Sequence, residues 1–467
     1  MKSEIFFVAL AVHLVTTLLS FPSRCSGTEL SNVVSGAKAP GSPLASWVVT
    51  NSAPVTNELT FPGFLNEVAS ANLDYAAQRY NVDIAKAAIA IAREFPNPTL
   101  SLSGSRDLRF RGVKAPDSAG HPVDQTLPES RTIGLDQPIE FFGKRKWRIR
   151  AADQSYRSAA ATLEDFLRNL KLNASEAYAQ ALAAQLTLEQ QRRAADYLAR
   201  LVSAQRIRFK TGDISETDLT QSRVDELQLQ SELLKAENDF ETARLALCSF
   251  LGRDRGRTTF LLRGRLEMEP RSFDSAQLIA SALRQRPDLI ALRHARDSAQ
   301  SGIHFAKASR VPDVDVGLGL DYTTASDNFV APAPADRQLA LSFSVPLPLW
   351  NRQRPEIQTA RFNAQQAQKT LEAAELKAEV QVQQALTTYQ LMQERVGKFR
   401  GELLKGADDV LTAKRFSYDH GQTTLLDLLD AQRADNDIHQ SYNDALADAA
   451  VALMEAERAA GLWDVAF

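Results

Sequence analysis

The chain is poor in the residues that build catalytic and metal centres. Its 467 residues include two cysteines, four methionines and six scattered histidines. With Cys25 near the N-terminus and Cys248 in a helical tract, no disulfide framework follows. No nucleotide loop, no nucleophile elbow and no metal-ligand spacing of His or Cys occurs. An enzyme, a bound metal and a cofactor are therefore not expected. Charge of one sign is also lacking: 54 Lys and Arg face 57 Asp and Glu, interspersed, for a net charge of -3. That balance gives no electrostatic case for nucleic acid. Proline is absent from Ile139 to Glu269 and again after Pro355. Both tracts are rich in Ala, Gln, Leu, Glu and Arg, the composition of long helices.

Long apolar runs are missing too, apart from one at the start. Residues 1–27 read as a secretory signal, with Lys2 before an apolar run from Ile5 to Phe21 and small residues at Cys25-Ser26-Gly27. Lipidation of Cys25 is the sharper alternative, although Pro22-Ser23-Arg24 lacks lipobox character. Residues 28–58 read as an extended tether. No later apolar run approaches ~18 residues, so an exported chain that spans a membrane would do so by strands.

What is present is a repeat. Arg206, Phe209, Gly212, Ser215, Asp218 and Leu219 recur 209 positions later as Arg415, Tyr418, Gly421, Thr424, Asp427 and Leu428. The register holds to Gly252 and Gly461. A repeat fixes architecture before any other signal. Residues 59–272 and 273–467 are expected to be two copies of one unit: helix, β-hairpin, then a long helical hairpin.

The hairpins are expected at 99–141 and 313–347. The second shows the clearer period of two: Val314, Val316, Leu318, Leu320 and Tyr322, then Leu339, Leu341, Phe343 and Val345, alternate with polar or small residues. A helix over 59–93 precedes the first, stopped by Pro96-Asn97-Pro98. Steps of three and four connect Leu163, Phe166, Leu170, Ala174, Ala177, Ala181, Ala184 and Leu188. They also connect Ala364, Ala367, Leu371, Ala374, Ala378, Val382, Ala385, Tyr389 and Met392, giving two coiled-coil seams. At ~1.5 Å per residue, the helix from Lys144 to Phe209 is a rod on the order of 100 Å long. The fold class is mainly α with a small β part.

Alternation alone fits a membrane-barrel wall and a small soluble sheet equally well. Export, with Gly and Asp on the polar face, tilts the balance to the barrel. Four strands cannot close one, since single-chain barrels need about eight; three copies would supply twelve. At the turns, Ser215 and Asp218 have capping-box spacing. Asp427 and Asp430 share a helix face. They read either as a solvated acidic start to a helix or, copied by symmetry, as an acidic ring around a pore.

The doubled pattern Arg-x-x-(Phe/Tyr)-x-x-Gly-x-x-(Ser/Thr)-x-x-Asp-Leu, ending in Leu251-Gly252 and Ala460-Gly461, resembles the TolC-like outer-membrane efflux channel family. Phe95-Pro96-Asn97-Pro98-Thr99-Leu100 is also typical of it. Pro346-Leu347-Pro348-Leu349-Trp350-Asn351-Arg352 is most similar to its cobalt–zinc–cadmium resistance branch. The resemblance implies a homotrimer whose twelve strands form a barrel in outer-membrane lipid and whose helices continue as a periplasmic α-barrel. It implies docking of a periplasmic adaptor (membrane fusion) protein around Arg206, Phe209, Gly212, Ser215, Arg415, Tyr418, Gly421 and Thr424. An inner-membrane pump, RND-type or other, would lie beyond. The acidic gate falls on Asp427 and Asp430, and a closing link on Asp218 and Tyr418. Thr423, Gln221 and Pro355 depart from the family pattern. A channel for type I protein secretion, or a periplasmic coiled-coil scaffold without a pore, are the alternatives to a solute duct.

Overall fold

A computed structural model describes residues 57–106, 114–116, 119–124, 128–252, 260–266, 269–325 and 334–462. The expected signal segment, Cys25 and nearly all of the tether lie outside the described residues.

Strand β1 (Asn57–Thr60) comes first, then helices α1 (Phe61–Ala71) and α2 (Leu73–Arg93). A first group of strands follows: β2 (Thr99–Ser105), β3 (Lys114–Pro116), β4 (Pro122–Asp124) and β5 (Ser130–Ile139). The long helix α3 (Lys144–Thr211) turns into α4 (Glu216–Phe250), which leads to β6 (Phe260–Arg263). The second half has α5 (Ser275–Gln285), α6 (Pro287–Ala308), β7 (Val314–Thr323) and β8 (Asp336–Ser344). It ends with α7 (Arg354–Lys398), a π-helical turn (Phe399–Leu403), α8 (Leu404–Asp419) and α9 (Leu425–Ala460). Among the described residues, no helix is long and apolar enough to cross a membrane.

Three local features differ from the sequence-based expectation. The segment expected as one helix over 59–93 begins as strand β1, pairing in parallel with β6, because Pro62 starts a helix instead of continuing one. It breaks again at Asn72, whose side chain accepts the Tyr75 N–H at 2.9 Å and donates to the Phe250 carbonyl at 3.2 Å. Gly252, at φ +60°, makes this junction possible, since a Cβ there would meet the Ala71 carbonyl oxygen at 2.2 Å. The third difference is the π turn, which interrupts the second long helix where Gly397, Gly401 and Gly406 cluster.

Each long helix is led in by a left-handed residue, Gly143 at φ 72° for α3 and Gln353 at φ 55° for α7. Every seam residue expected from the sequence is buried or half-buried. The largest core cluster gathers around Tyr178 of α3, packed on Phe61 and Phe64. Its hydroxyl lies 2.8 Å from the carbonyls of Leu59 and Arg263, joining the ends of β1 and β6. Burial pushes that phenol up to about 12.

Helix neighbours form open rows. Near the sheet the order is α2, α3, α6, α7; toward the turns it is α4, α3, α9 and then α7 and α8. The principal sheet is open in the same way, with order β2-β5-β7-β8 and antiparallel pairing throughout. Its register aligns whole rows by type. Leu100, Leu135, Leu318 and Leu341 lie side by side, as do Leu102, Ile133, Leu320 and Leu339. The alternate positions carry Thr99, Asp136, Gly317 and Ser342. Gly317 leaves room there for two polar side chains: a Cβ would come within 2.2 Å of the Asp136 carboxylate and 2.3 Å of the Ser342 hydroxyl, and both would have to move.

The candidate functional site: two matched helix tips

The two turns are built by identical hydrogen bonds at the repeat offset. At the first, Gly212 N–H donates to the Phe209 carbonyl at 3.1 Å and Asp213 N–H to Arg208 at 2.9 Å. At the second, Gly421 N–H donates to Tyr418 at 3.0 Å and Gln422 N–H to Ser417 at 2.8 Å. Each is a Schellman closure, and the glycines take φ 84° and 70°. The returning helices then open with capping boxes, Ser215 with Asp218 and Thr424 with Asp427.

This geometry gives Asp427 a structural task at the start of α9. Its carboxylate accepts from the Thr424 hydroxyl at 2.6 Å, the Thr423 hydroxyl at 3.0 Å and the Thr424 N–H at 3.2 Å, with Lys414 at 3.6 Å. Those donors, the Thr424 hydroxyl first, hold it down to about 2. Thr423 thus serves the acid directly. Asp430 is the freer carboxylate, exposed and 3.4 Å from Arg433.

The expected link between Asp218 and Tyr418 is not made within the chain. Asp218 is committed to its own helix start, 3.4 Å from the Ser215 N–H it accepts. The Tyr418 hydroxyl accepts instead from Gln205 at 3.3 Å. Gln205 is buried and its carbonyl oxygen takes the Ser222 hydroxyl, so this one amide joins α3, α4 and α8. A second tie runs from buried Asp225 on α4 to Arg433 on α9.

The remaining tip residues divide. Arg206, Phe209, Gly212, Ser215, Gly421 and Thr424 are exposed. Arg415 turns inward: its guanidinium stacks 4.1 Å over the Tyr197 ring and donates to Gln432 at 2.6 Å. Sequence reasoning missed Gln205, Ser222, Asp225 and Arg433. The only available signal was polar side chains recurring at helical spacing inside an apolar seam.

The opposite end of the chain bears the complementary surface. One face of the sheet is apolar and uncovered, with Leu102 68%, Leu339 70%, Leu341 63% and Phe343 67% exposed. Where strands meet helices, Phe142, Leu347 and Trp350 are exposed as well, Trp350 at 92%. A soluble fold does not leave such a surface to water, whereas a lipid-facing wall with an interfacial aromatic rim does.

Open rows of helices, an apolar-faced open sheet and doubled glycine tips define an outer-membrane channel subunit of the TolC-like fold. The chain belongs to the family Outer membrane efflux protein, whose model matches residues 64–253 and 278–462. It is 26% identical over 377 residues to the cobalt-zinc-cadmium resistance protein CzcC of Cupriavidus metallidurans, covering 80% of this chain and 83% of that one. It is 24% identical over 391 residues to the outer membrane protein TolC of Vibrio cholerae, covering 79% and 89%. Among solved structures, the CmeC outer membrane channel of Campylobacter jejuni superposes with a TM-score of 0.69 at 17% identity, over 93% and 95% of the two chains.

Proposed function

We propose that three copies of this chain close a duct through the outer membrane that serves as the exit of a tripartite efflux system. One observation carries the reading. The sheet has a lipid-type apolar face, yet β2 and β8 each keep an unpaired edge. Unpaired strand edges do not persist in hydrocarbon, so other chains must supply the partners. Three sets of four strands make twelve, and the open helix rows would close in the same step to form the periplasmic part.

The reading takes residues 1–27 as the export signal and 59–272 and 273–467 as the two structural repeats. The exposed tip surface, Arg206, Phe209, Gly212, Ser215, Gly421 and Thr424, would meet a periplasmic adaptor joined to an inner-membrane pump. Solutes would pass without chemical change. Heavy-metal cations are the favoured cargo, supported by the likeness to a cobalt-zinc-cadmium resistance protein and by the Trp350 segment. Asp430, with Asp427 behind it, would form the acidic constriction. Opening would separate the two hairpins of each chain, breaking the Gln205–Tyr418 and Asp225–Arg433 ties, a change between two packings.

The test is the purified protein in detergent and in planar bilayers. A trimeric mass with cation-selective current is expected, and replacing Asp427 and Asp430 with alanine should raise conductance and weaken block by divalent cations. A monomer that carries no current would overturn the duct. Unchanged conductance and block in the variant would remove the gate alone.

A further inference from the structure

Behind the second tip, α8 and α9 bring together three potential ligands from two helices. Asp408 comes from α8, and Asp435 and His439, one helical turn apart, come from α9. His439 Nε2 lies 3.6 Å from Asp408 Oδ1 and 3.7 Å from Asp435 Oδ1. The three ligand atoms all lie within 4.8 Å of one another.

A second observation points into the cluster. Asp435 is only 4% exposed, and its Oδ1, the oxygen near the imidazole, has no hydrogen-bond donor from the chain. Buried carboxylate oxygens are rarely left without a donor or a cation. Arg415 is the nearby fixed cation, and it makes no hydrogen bond to this oxygen: one terminal nitrogen donates to Gln432, the guanidinium lies over the Tyr197 ring, and its Nε is left without an acceptor.

We propose that Asp408, Asp435 and His439 bind one divalent transition-metal cation of the zinc class, clamping α8 to α9. Ligands ~2.0–2.1 Å from a tetrahedral ion stand roughly 3.4 Å apart, so the two His439 spacings of 3.6 and 3.7 Å are nearly in place, and the exposed Asp408 side chain is the ligand free to adjust toward Asp435. One imidazole and two carboxylates suit zinc, cobalt or nickel. The absence of sulfur ligands disfavours copper(I), and so few oxygens disfavour calcium and magnesium. The site adjoins a groove of about 1000 Å³ lined in part by Gly406, Ala431, Ala434 and Asp435. That groove gives a hydrated ion a way in and leaves room for a water as fourth ligand. The device is confined to one repeat: 209 positions earlier stand Ala199, Glu226 and Gln230.

The competing arrangement is a protonated His439 paired with the two carboxylates, which needs no metal. Calorimetric titration of the purified full-length protein with Zn²⁺, together with Co²⁺ visible absorption, separates them. The expected result is one Zn²⁺ per chain, undisturbed by excess Mg²⁺, with affinity lowered roughly tenfold or more in both His439→Gln and Asp408→Asn. Asp408 is exposed, so its variant keeps the fold. No saturable Zn²⁺ binding by the wild type, or binding by both variants equal to the wild type, overturns the site. Either result is read on the chain itself and is independent of whether the trimer conducts.

Discussion

The two helical hairpins share a turn design but not a stem. In the first, α3 runs unbroken through 68 residues. In the second, the equivalent rod is cut by a π turn into pieces of 45 and 16 residues. Gly397, Gly401 and Gly406 answer, at the repeat offset, to Leu188, Arg192 and Tyr197. Leu188 is buried, Arg192 pairs with Glu237 at 3.1 Å and Tyr197 carries the Arg415 guanidinium. Three anchors in one copy are three open backbone positions in the other, where an added Cβ would meet nothing within 4 Å. Glycine in a helix interior weakens it by roughly 1 kcal/mol relative to alanine. The first stem is thus the stiff post, and the second is the member able to bend.

The strongest way to break this difference is to make the first stem resemble the second. Leu188→Gly removes a buried side chain and adds backbone freedom, an expected loss of about 3–5 kcal/mol. Hydrogen exchange should show new opening of α3 around residue 188 while α7 is unchanged. Equal opening in both stems would mean that continuity of α3 does not depend on this anchor.

The turns should respond alike, because they are built alike. Gly212→Ala and Gly421→Ala each force a side chain into the left-handed region at φ 84° or 70°, costing roughly 1–2 kcal/mol. Both lower the thermal midpoint by a similar amount. A clear inequality would show that one turn draws support from beyond its own hydrogen bonds. In the opposite direction, Gly401→Ala should stabilise the second stem by about 1 kcal/mol, slowing exchange across 399–403. If that exchange quickens, the π turn is held by something other than the freedom of its glycines.

What could be read in advance followed from periodicity and repetition. The heptad residues from Leu163 to Leu188 and the alternating leucines of β7 and β8 report burial and face through spacing alone, so the seams and the sheet were legible. Gly212 and Gly421 were legible because the repeat places a glycine at the same point of both copies, between two helical tracts. The β1–β6 pair was not, because each strand has four residues and the partners lie about two hundred positions apart. The Gln205–Tyr418 tie was hidden for a similar reason: nothing local tells a buried glutamine from an exposed one. Asp427 shows a third cause. Its spacing from Thr424 repeated that of Asp218 from Ser215, but its resemblance to a gate acid drew the reading toward the pore.

The smallest expected effect separates those two roles of Asp427. Its carboxyl is held at about 2 by the Thr424 hydroxyl and its neighbours, below the ordinary carboxylate value of ~4. Depression in the folded state means that the cap contributes fully above the ordinary value and fades as the pH falls through about 2. The side chain is exposed, so solvent screens the effect and the whole molecule should show little of it. The carboxyl ¹³C shift of selectively labelled protein reports it directly. In the wild type the titration should centre near 2, and Thr424→Ala should move it up toward the ordinary range. An Asp427 that already titrates in the ordinary range would mean that the capping box is loose. The carboxylate would then be free to face the pore, and the second tip would differ from the first in its turn as well as its stem.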